Sequence, residues 1–151
     1  LEYIINSIKE VADYKPHRKI ALEYKLKEPR THIFISNVGR ALWIVQQVGR
    51  DNVGVLLDIG HSYMAFENPA ESTYLLASSR KLYHTHFNDN YRDWDHDMIV
   101  GSIRLWELMS FFSGLMKLIM WVGIPRHIPY REDSTKSAMR CLKQIKFALN
   151  A

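Results

Sequence analysis

Cysteine and long hydrophobic runs are both scarce in this sequence. Cys141 is the single cysteine among 151 residues, which excludes a disulfide framework and fits a reducing compartment. The most apolar region is interrupted by Arg104, Glu107 and Lys117, so it falls short of the roughly 18 uncharged residues that a membrane span needs. No secretory signal is recognisable. We therefore expect a cytoplasmic protein that has no membrane partner.

A strong excess of charge of one sign is also absent. The sequence has 20 Lys and Arg residues against 16 Asp and Glu residues, and it has no basic stripe with interleaved aromatic side chains. A nucleic-acid partner is therefore not expected. Hydrophobic residues make up 47% of the chain and charged residues 24%. This composition is globular, and the length suits one domain with a core.

Helical and strand patterns alternate along the chain. Helices are predicted over 2–13, 38–49, 68–79, 102–118 and 134–149, and strands over 17–26, 52–60, 81–87 and, weakly, 120–128. The first helix is expected to bury Ile4, Ile5, Ile8 and Val11. Either Ser36 or Asn37 is expected to cap the second, and the helix over 102–118 is apolar nearly all round, which predicts burial. The alternation indicates an α/β fold with a parallel sheet.

Charged and imidazole side chains follow the ends of three predicted strands. Glu23 and Lys25 end the first, Asp58 and His61 follow the second, and the third ends at His86, beyond which lie Asp89, Asp93, Asp95 and Asp97. In parallel α/β folds the carboxyl ends of the strands share one edge, where active sites form. Mixed carboxylate and imidazole ligands suit Mn²⁺, Co²⁺ or Mg²⁺. With no cysteine nearby, a structural zinc site is not expected.

Each of these residues also has an ordinary structural interpretation. Glu23 and Lys25 suit an ion pair at the rim of the sheet, and Asp58 suits a turn cap. The aspartates after the third strand suit a solvated face. The remaining histidines are interpreted as structural: His17, His32, His84, His96 and His127. What favours a site is the recurrence of charged groups at three successive strand ends.

Three segments resemble those of a known family. "EYKLKEPR", residues 23–30, is similar to the Glu-x-Lys-x-x-Glu-Pro-Arg segment of xylose isomerases. "LDIGHSYMAFENPAES" and "HFNDNYRDWDHDMIVGS" are similar to segments of the xylose isomerase-like TIM-barrel family, especially its L-rhamnose isomerase-like members. The resemblance implies a partial (β/α)8 barrel of about four C-terminal βα units, with residues 1–151 forming the C-terminal half. An opening that reads as the middle of a helix agrees with a fragment.

The resemblance also implies a two-metal aldose–ketose isomerase site for a small sugar. It assigns Glu23, Asp58 and His86 to one ion and His61, Asp95 and Asp97 to a second, with Asp58 bridging the two and Mn²⁺ the expected metal. Lys25 matches the lysine that hydrogen-bonds the substrate near its carbonyl, so Lys25 and Asp95 are the expected catalytic residues. The family mechanism combines Lewis-acid catalysis with orientation of the sugar.

Several alternatives remain open from the sequence. A sugar epimerase of the same fold moves a proton instead of a hydride, an endonuclease IV-like hydrolase uses a histidine-rich zinc site, and a non-catalytic protein only binds the sugar. Because the residues of the early strands are missing, the chain alone is expected to be inactive. A half-barrel has open sheet edges, so it is expected to be unstable or to dimerise, and the whole protein is expected to be a homo-oligomer.

One position departs from the family pattern. The family carries a further metal-binding acid three residues before a "PYRED"-like segment, and Arg126 holds that position here. A cation there would repel a metal ion. Our hypothesis is that a shifted reading frame alters the stretch from Met120 to His127, because the resemblance resumes directly after it.

Overall fold

The computed structural model describes residues 1–122 of the chain, with side chains up to Met116. The elements, in chain order, are α1 (Glu2–Tyr14), β1 (Ile20–Glu23), β2 (Lys27–Glu28), β3 (Thr31–His32), α2 (Val38–Val48), β4 (Val53–Asp58), α3 (Ile59–Met64), α4 (Pro69–Ser78), β5 (Leu82–His86) and α5 (Leu105–Val122). The short β2–β3 hairpin and α3 add to the predicted elements.

The strands β1, β4 and β5 form a parallel sheet with β4 in the centre. All six residues of β4 are buried, as expected for a strand that is covered on both faces. In the register, Glu23 pairs with Leu56 and Asp58 pairs with His86. The last residues of the three strands therefore lie at one edge of the sheet, and the predicted α/β fold with a parallel sheet is confirmed.

Helix α2 packs on this sheet through one apolar face. The residues of that face are all buried: Val38, Ala41, Ile44, Val45 and Val48. Asn37 caps the helix, since its side chain accepts a hydrogen bond from the backbone N–H of Arg40 at 2.8 Å, as one of the two predicted caps. The helix ends at Gly49, whose φ of +63° is the left-handed conformation that glycine adopts readily.

Helix α1 buries a slightly different face from the predicted one. Ile5 and Ile8 pack against the core as expected, but Val11 is 60% exposed, and Ala12 is fully buried in its place. The predicted burial of Val11 is therefore wrong. The spacing of Ile5, Ile8 and Ala12 places them on one side of the helix, and the helix contacts mainly α2.

Helix α5 differs from its prediction in two ways. It begins at Leu105 rather than at 102, because Asp89 holds the preceding backbone N–H groups (below). The prediction that the helix is buried on all sides is also wrong, because Leu108 and Phe111 are fully buried whereas Trp106 is 81% exposed. The helix keeps only one packed face within the described residues, and that face lies mainly against α4.

The last predicted elements fall mostly outside the described residues. Residues 120–122 belong to α5, so this part of the weak strand predicted over 120–128 is helical, because neither glycine nor proline interrupts residues 115–122. The rest of that strand, Arg126 and the helix predicted over 134–149 lie outside. Within residues 1–122, no helix combines the length and apolar character needed to cross a bilayer.

Candidate metal centre

Three side chains meet where β1, β4 and β5 end. Nδ1 of His86 lies 3.4 Å from Oε1 of Glu23 and 3.6 Å from Oδ2 of Asp58. Each of these residues is the last of its strand, and parallel pairing brings the three ends together. The arrangement predicted from the strand ends is thus present for Glu23, Asp58 and His86.

His61 joins this group from the first turn of α3. Asp58 caps that helix, because its Oδ1 accepts the backbone N–H of His61 at 3.1 Å, and the turn aims the imidazole back across the strand ends. Nδ1 of His61 lies 3.5 Å from Oε1 of Glu23, while Nε2 lies 3.1 Å from Oδ2 of Asp95. His61 therefore stands between the strand-end cluster and the loop that follows β5.

Lys25 and Asp95 form an ion pair at the edge of this cluster. Nζ of Lys25 lies 3.0 Å from Oδ2 of Asp95 and 3.0 Å from Oε1 of Glu28. The same ammonium group lies 6.0 Å from the centre of the Trp94 ring. Glu28 belongs to the β2–β3 hairpin, so this hairpin helps to hold the lysine against the loop.

Asp97 occupies a more open position than Asp95. It has a φ of +48° and forms no hydrogen bond or ion pair with the described residues. Partial burial, together with the negative charges of Asp95 and Asp58, raises the pKa of its carboxyl group. The carboxylate is therefore close enough to the cluster to be influenced by its charge.

The charges of the cluster shift the pKa values of its carboxylates. Burial raises the pKa of Asp58, but the neighbouring imidazoles of His86 and His61 and hydrogen bonds from the backbone and from Asn88 lower it by more, so the net direction is down. A hydrogen bond from His61, helped by Lys25, lowers the pKa of Asp95 to about 2. Both carboxylates are ionised at neutral pH.

The imidazoles respond in the opposite direction. Hydrogen bonds to Asp58 and Glu23 raise the pKa of His86 to about 9. Burial lowers the pKa of His61, but Asp95, Asp58 and Glu23 raise it by more. The negative charge at the strand ends thus attracts positive charge to this position, which protons or a metal ion can supply.

Asn88 holds the carboxylate of Asp58 from the side of β5. Its Nδ2 donates to Oδ1 and Oδ2 of Asp58 at 2.9 and 3.0 Å. The contact requires glycine at position 60, where any β-carbon would overlap the Asn88 carboxamide. Asn88 therefore fixes the orientation of the Asp58 carboxylate.

Asp89 and Asn90 have different partners. Oδ2 of Asp89 accepts hydrogen bonds from the backbone N–H groups of Ile103 and Arg104, both at 2.9 Å. Asp89 therefore fixes the backbone that immediately precedes α5. Asn90 donates to the carbonyl oxygen of Gly60 at 2.8 Å. A role for Asn90 is not predicted from the sequence. The only signal is its place in a run of three polar residues after a strand.

Two of the histidines interpreted as structural lie near the cluster. His84 contacts the ring of His86 edge-on at 5.1 Å between centroids. His96 lies 5.4 Å from the Tyr91 ring in the same geometry, and its Nδ1 is 3.9 Å from the carboxylate of Asp93, whose side chain is 72% exposed. Neither His96 nor Asp93 reaches the strand ends.

The donor atoms fit a divalent cation. Glu23, Asp58 and His61 each offer a ligand atom, and these atoms all lie within 4.8 Å of one another. Ligand atoms that bind one ion at about 2.0–2.2 Å are at most about 4.4 Å apart, so the spacing is close to that of a bound ion. Nδ1 of His61 and Oδ1 of Asp95 are buried without a hydrogen-bond partner among the described residues. A buried polar atom without a partner costs folding free energy, and a bound cation would supply the missing partner for both atoms.

Two solved structures share this architecture. The chain is similar to a D-tagatose 3-epimerase-like protein, with 22% identity and a TM-score of 0.66 over 97% of this chain and 53% of that one. It is also similar to the probable 3-DHS dehydratase AsbF of Bacillus anthracis, involved in petrobactin synthesis, with 20% identity and a TM-score of 0.50 over 61% of this chain and 32% of that one. At these identities the likeness shows the fold alone.

The chain spans about half the length of the epimerase-like protein and a third of the dehydratase. The family described as xylose isomerase-like TIM barrel matches residues 1–147. This match and the parallel sheet confirm the predicted fold class, a part of a TIM barrel. The chain belongs to the xylose isomerase-like TIM-barrel family.

Proposed function

We propose that this chain carries the metal-binding part of the active site of an aldose–ketose isomerase that acts on a small sugar. The observation that supports this most is the position of His61. Its two ring nitrogens face Glu23 at 3.5 Å and Asp95 at 3.1 Å, so one imidazole connects two adjacent groups of carboxylates. Two adjacent cation sites of this kind are suited to hold and polarise neighbouring oxygens of a sugar.

Each group has ligands for one divalent ion, with Mn²⁺ preferred and Co²⁺ or Mg²⁺ as substitutes. The first ion is assigned to Glu23, Asp58 and His86, and the second to His61, Asp95 and Asp97. When bound, the ions act as Lewis acids toward the sugar carbonyl and the neighbouring hydroxyl. The assignments are those implied by the family resemblance. The contacts of His86 with Glu23 and Asp58 and of His61 with Asp95 support them, while the donor atoms of Glu23, Asp58 and His61 also lie together, so the two sets form one continuous cluster.

The protein's own contribution is to orient the substrate and to hold a proton beside it. Burial lowers the pKa of Lys25, but hydrogen bonds to Glu28 and Asp95 raise it by more, so the ammonium group stays charged at neutral pH. Its place beside Asp95 allows it to donate a hydrogen bond to the carbonyl oxygen of a sugar held at the strand ends.

A sugar epimerase of the same fold is distinguished by the fate of the transferred hydrogen. In an isomerase of this family the hydrogen moves between neighbouring carbons as a hydride and does not exchange with solvent. An epimerase moves a proton, which exchanges. Product formed in D₂O is therefore expected to contain no deuterium at the reacting carbons by NMR, and incorporation would favour the epimerase.

The proposal is tested by assaying ketose–aldose interconversion with Mn²⁺, both in this chain and in the full product of its gene. The similarity to L-rhamnose isomerase-like enzymes makes L-rhamnose, other deoxyhexoses and hexoses the first substrates. Asp58→Ala and His61→Ala are expected to abolish activity, with the exposed Glu71→Ala as control. Full activity in both site variants would refute the assignment, and sugar binding without turnover would indicate a binding protein.

A further inference from the structure

Three consecutive polar residues after β5 are almost completely buried. Asn88 is 7% exposed, Asp89 is 1% exposed and Asn90 is inaccessible to solvent. Buried polar side chains are retained where they form hydrogen bonds, and each of these three binds a different segment. Asp89 is bound to the approach to α5, as described above. The two asparagines both reach the junction of β4 and α3, where Asn88 contacts the last residue of the strand and Asn90 contacts the first turn of the helix.

Asn88 contacts the junction at Asp58, and its amide nitrogen bonds both carboxylate oxygens. Asn90 contacts the junction beyond that residue, where its Nδ2 donates to the carbonyl oxygen of Gly60 at 2.8 Å. The peptide group of this carbonyl includes the backbone nitrogen of His61. A displacement of that peptide would therefore move His61 more directly than Asp58.

The other end of the Asn90 carboxamide holds the loop that follows β5. Its Oδ1 accepts the backbone N–H of Arg92 at 2.9 Å, at the start of the segment that carries Asp95 and Asp97. The single side chain of Asn90 thus joins the backbone next to His61 to the backbone that leads to the other two residues. Asn88 makes no bond to that loop.

We propose that Asn90 is a positioning residue for the second metal site alone, whereas Asn88 positions Asp58, the ligand that the two sites share. The inference rests on the two metal sites of the proposed function and adds a division of labour between two neighbouring asparagines. Groups that hold metal ligands in place typically change metal affinity by about 10–100-fold when they are removed. Loss of the Asn90 bond to the Gly60 carbonyl is expected to affect the second affinity only, and loss of the Asn88 bonds to Asp58 is expected to affect both affinities.

The test is a calorimetric titration of the chain with Mn²⁺. Asn90→Ser keeps a hydroxyl that accepts the Arg92 N–H but is too short to reach the Gly60 carbonyl. It is expected to weaken the second site by about 10–100-fold and leave the first unchanged. Asn88→Ser removes both bonds to Asp58, the ligand that the two ions share, and is expected to weaken both sites.

Reference variants identify the two binding events. Asp97→Ala is expected to eliminate the second event and Glu23→Ala the first. Asn52→Ala is the matched structural control, because Nδ2 of Asn52 donates to the carbonyl oxygens of Ala12 and Arg18 at 3.0 and 3.1 Å, beside the opposite end of the sheet. It is expected to lower the melting temperature and to leave both Mn²⁺ affinities unchanged.

The selectivity of the effect decides the outcome. If Asn90→Ser weakens both sites equally, weakens neither, or is matched by Asn52→Ala, the positioning role is overturned. If the wild-type chain binds no Mn²⁺, the proposed function fails first and this inference fails with it. Should Asn90→Ser not fold by circular dichroism, Asn90→Thr replaces it, since threonine keeps more of the volume and a hydroxyl for the Arg92 N–H, adds no charge and is too short to reach the Gly60 carbonyl.

Discussion

Gly60 lies directly against the carboxamide of Asn88, so that a β-carbon at position 60 would overlap Asn88 Oδ1. The same carboxamide bonds both oxygens of Asp58. A glycine two residues beyond the end of β4 thus allows a residue of the next βα unit to hold a metal-ligand candidate. The size of one side chain and the geometry of the candidate site are directly connected.

Gly60→Ala is expected to destabilise the chain by about 1–3 kcal/mol, because the new methyl group displaces Asn88 in a packed region. The free energy of unfolding in urea measures the effect. Gly39→Ala is the control: its β-carbon would be 3.6 Å from Asn37 Oδ1, an ordinary contact, and alanine is preferred in helices. Equal losses in the two variants would contradict the steric argument.

Tyr24→Phe is expected to cost about 1–2 kcal/mol of stability, because it removes a buried donor from a carboxylate. Tyr24 is fully buried and its hydroxyl donates to Oε2 of Glu67 at 2.9 Å. Thermal and urea unfolding measure the loss. Tyr74→Phe, at a position 61% exposed, is expected to change nothing, and a comparable loss there would remove the explanation.

The metal-free chain is expected to lose stability as the pH rises from about 6.5, the ordinary pKa of histidine, through about 9. The pKa of His86 is raised to about 9, so its contribution is complete below the unfolded value and disappears as the folded form deprotonates. Urea midpoints at pH 6 and 9.5 measure the change. His86→Gln is expected to flatten the dependence, and the exposed His17→Gln is not. Identical slopes in these two variants would exclude His86 as the cause.

Mn²⁺ affinity at the first site is expected to increase with pH up to about 9. A histidine ligand must be neutral to bind a metal, and the raised pKa of His86 keeps it protonated at lower pH. Titrations in buffers of different ionisation enthalpy report the protons that are released. Affinity that is independent of pH, with no proton release, would mean that His86 does not bind the ion.

The meeting of Glu23, Asp58 and His86 is predictable from the sequence. Each ends an apolar run, alternation with helices implies parallel strands, and parallel strands present their carboxyl ends at one edge. No knowledge of individual contacts is needed for this step. The cap at Asn37 is predictable for a similar reason, because the side chain bonds a backbone group three residues away.

The role of Asn90 is not predictable in the same way. Its partner Gly60 is thirty residues distant, and nothing in the local sequence states which backbone carbonyl a buried amide will reach. The burial predicted for Val11 and for Trp106 is wrong for a related reason. Apolar periodicity gives the side of a helix that is apolar, but only the neighbouring elements decide how much of it is covered.

The central claim is that the strand ends of this chain hold two divalent cations. Anomalous diffraction from crystals of the chain grown with MnCl₂ tests it most directly, since it locates manganese without reference to activity. The account predicts one peak among Glu23, Asp58 and His86, and a second among His61, Asp95 and Asp97. Crystals that show no anomalous peak at either position would contradict it.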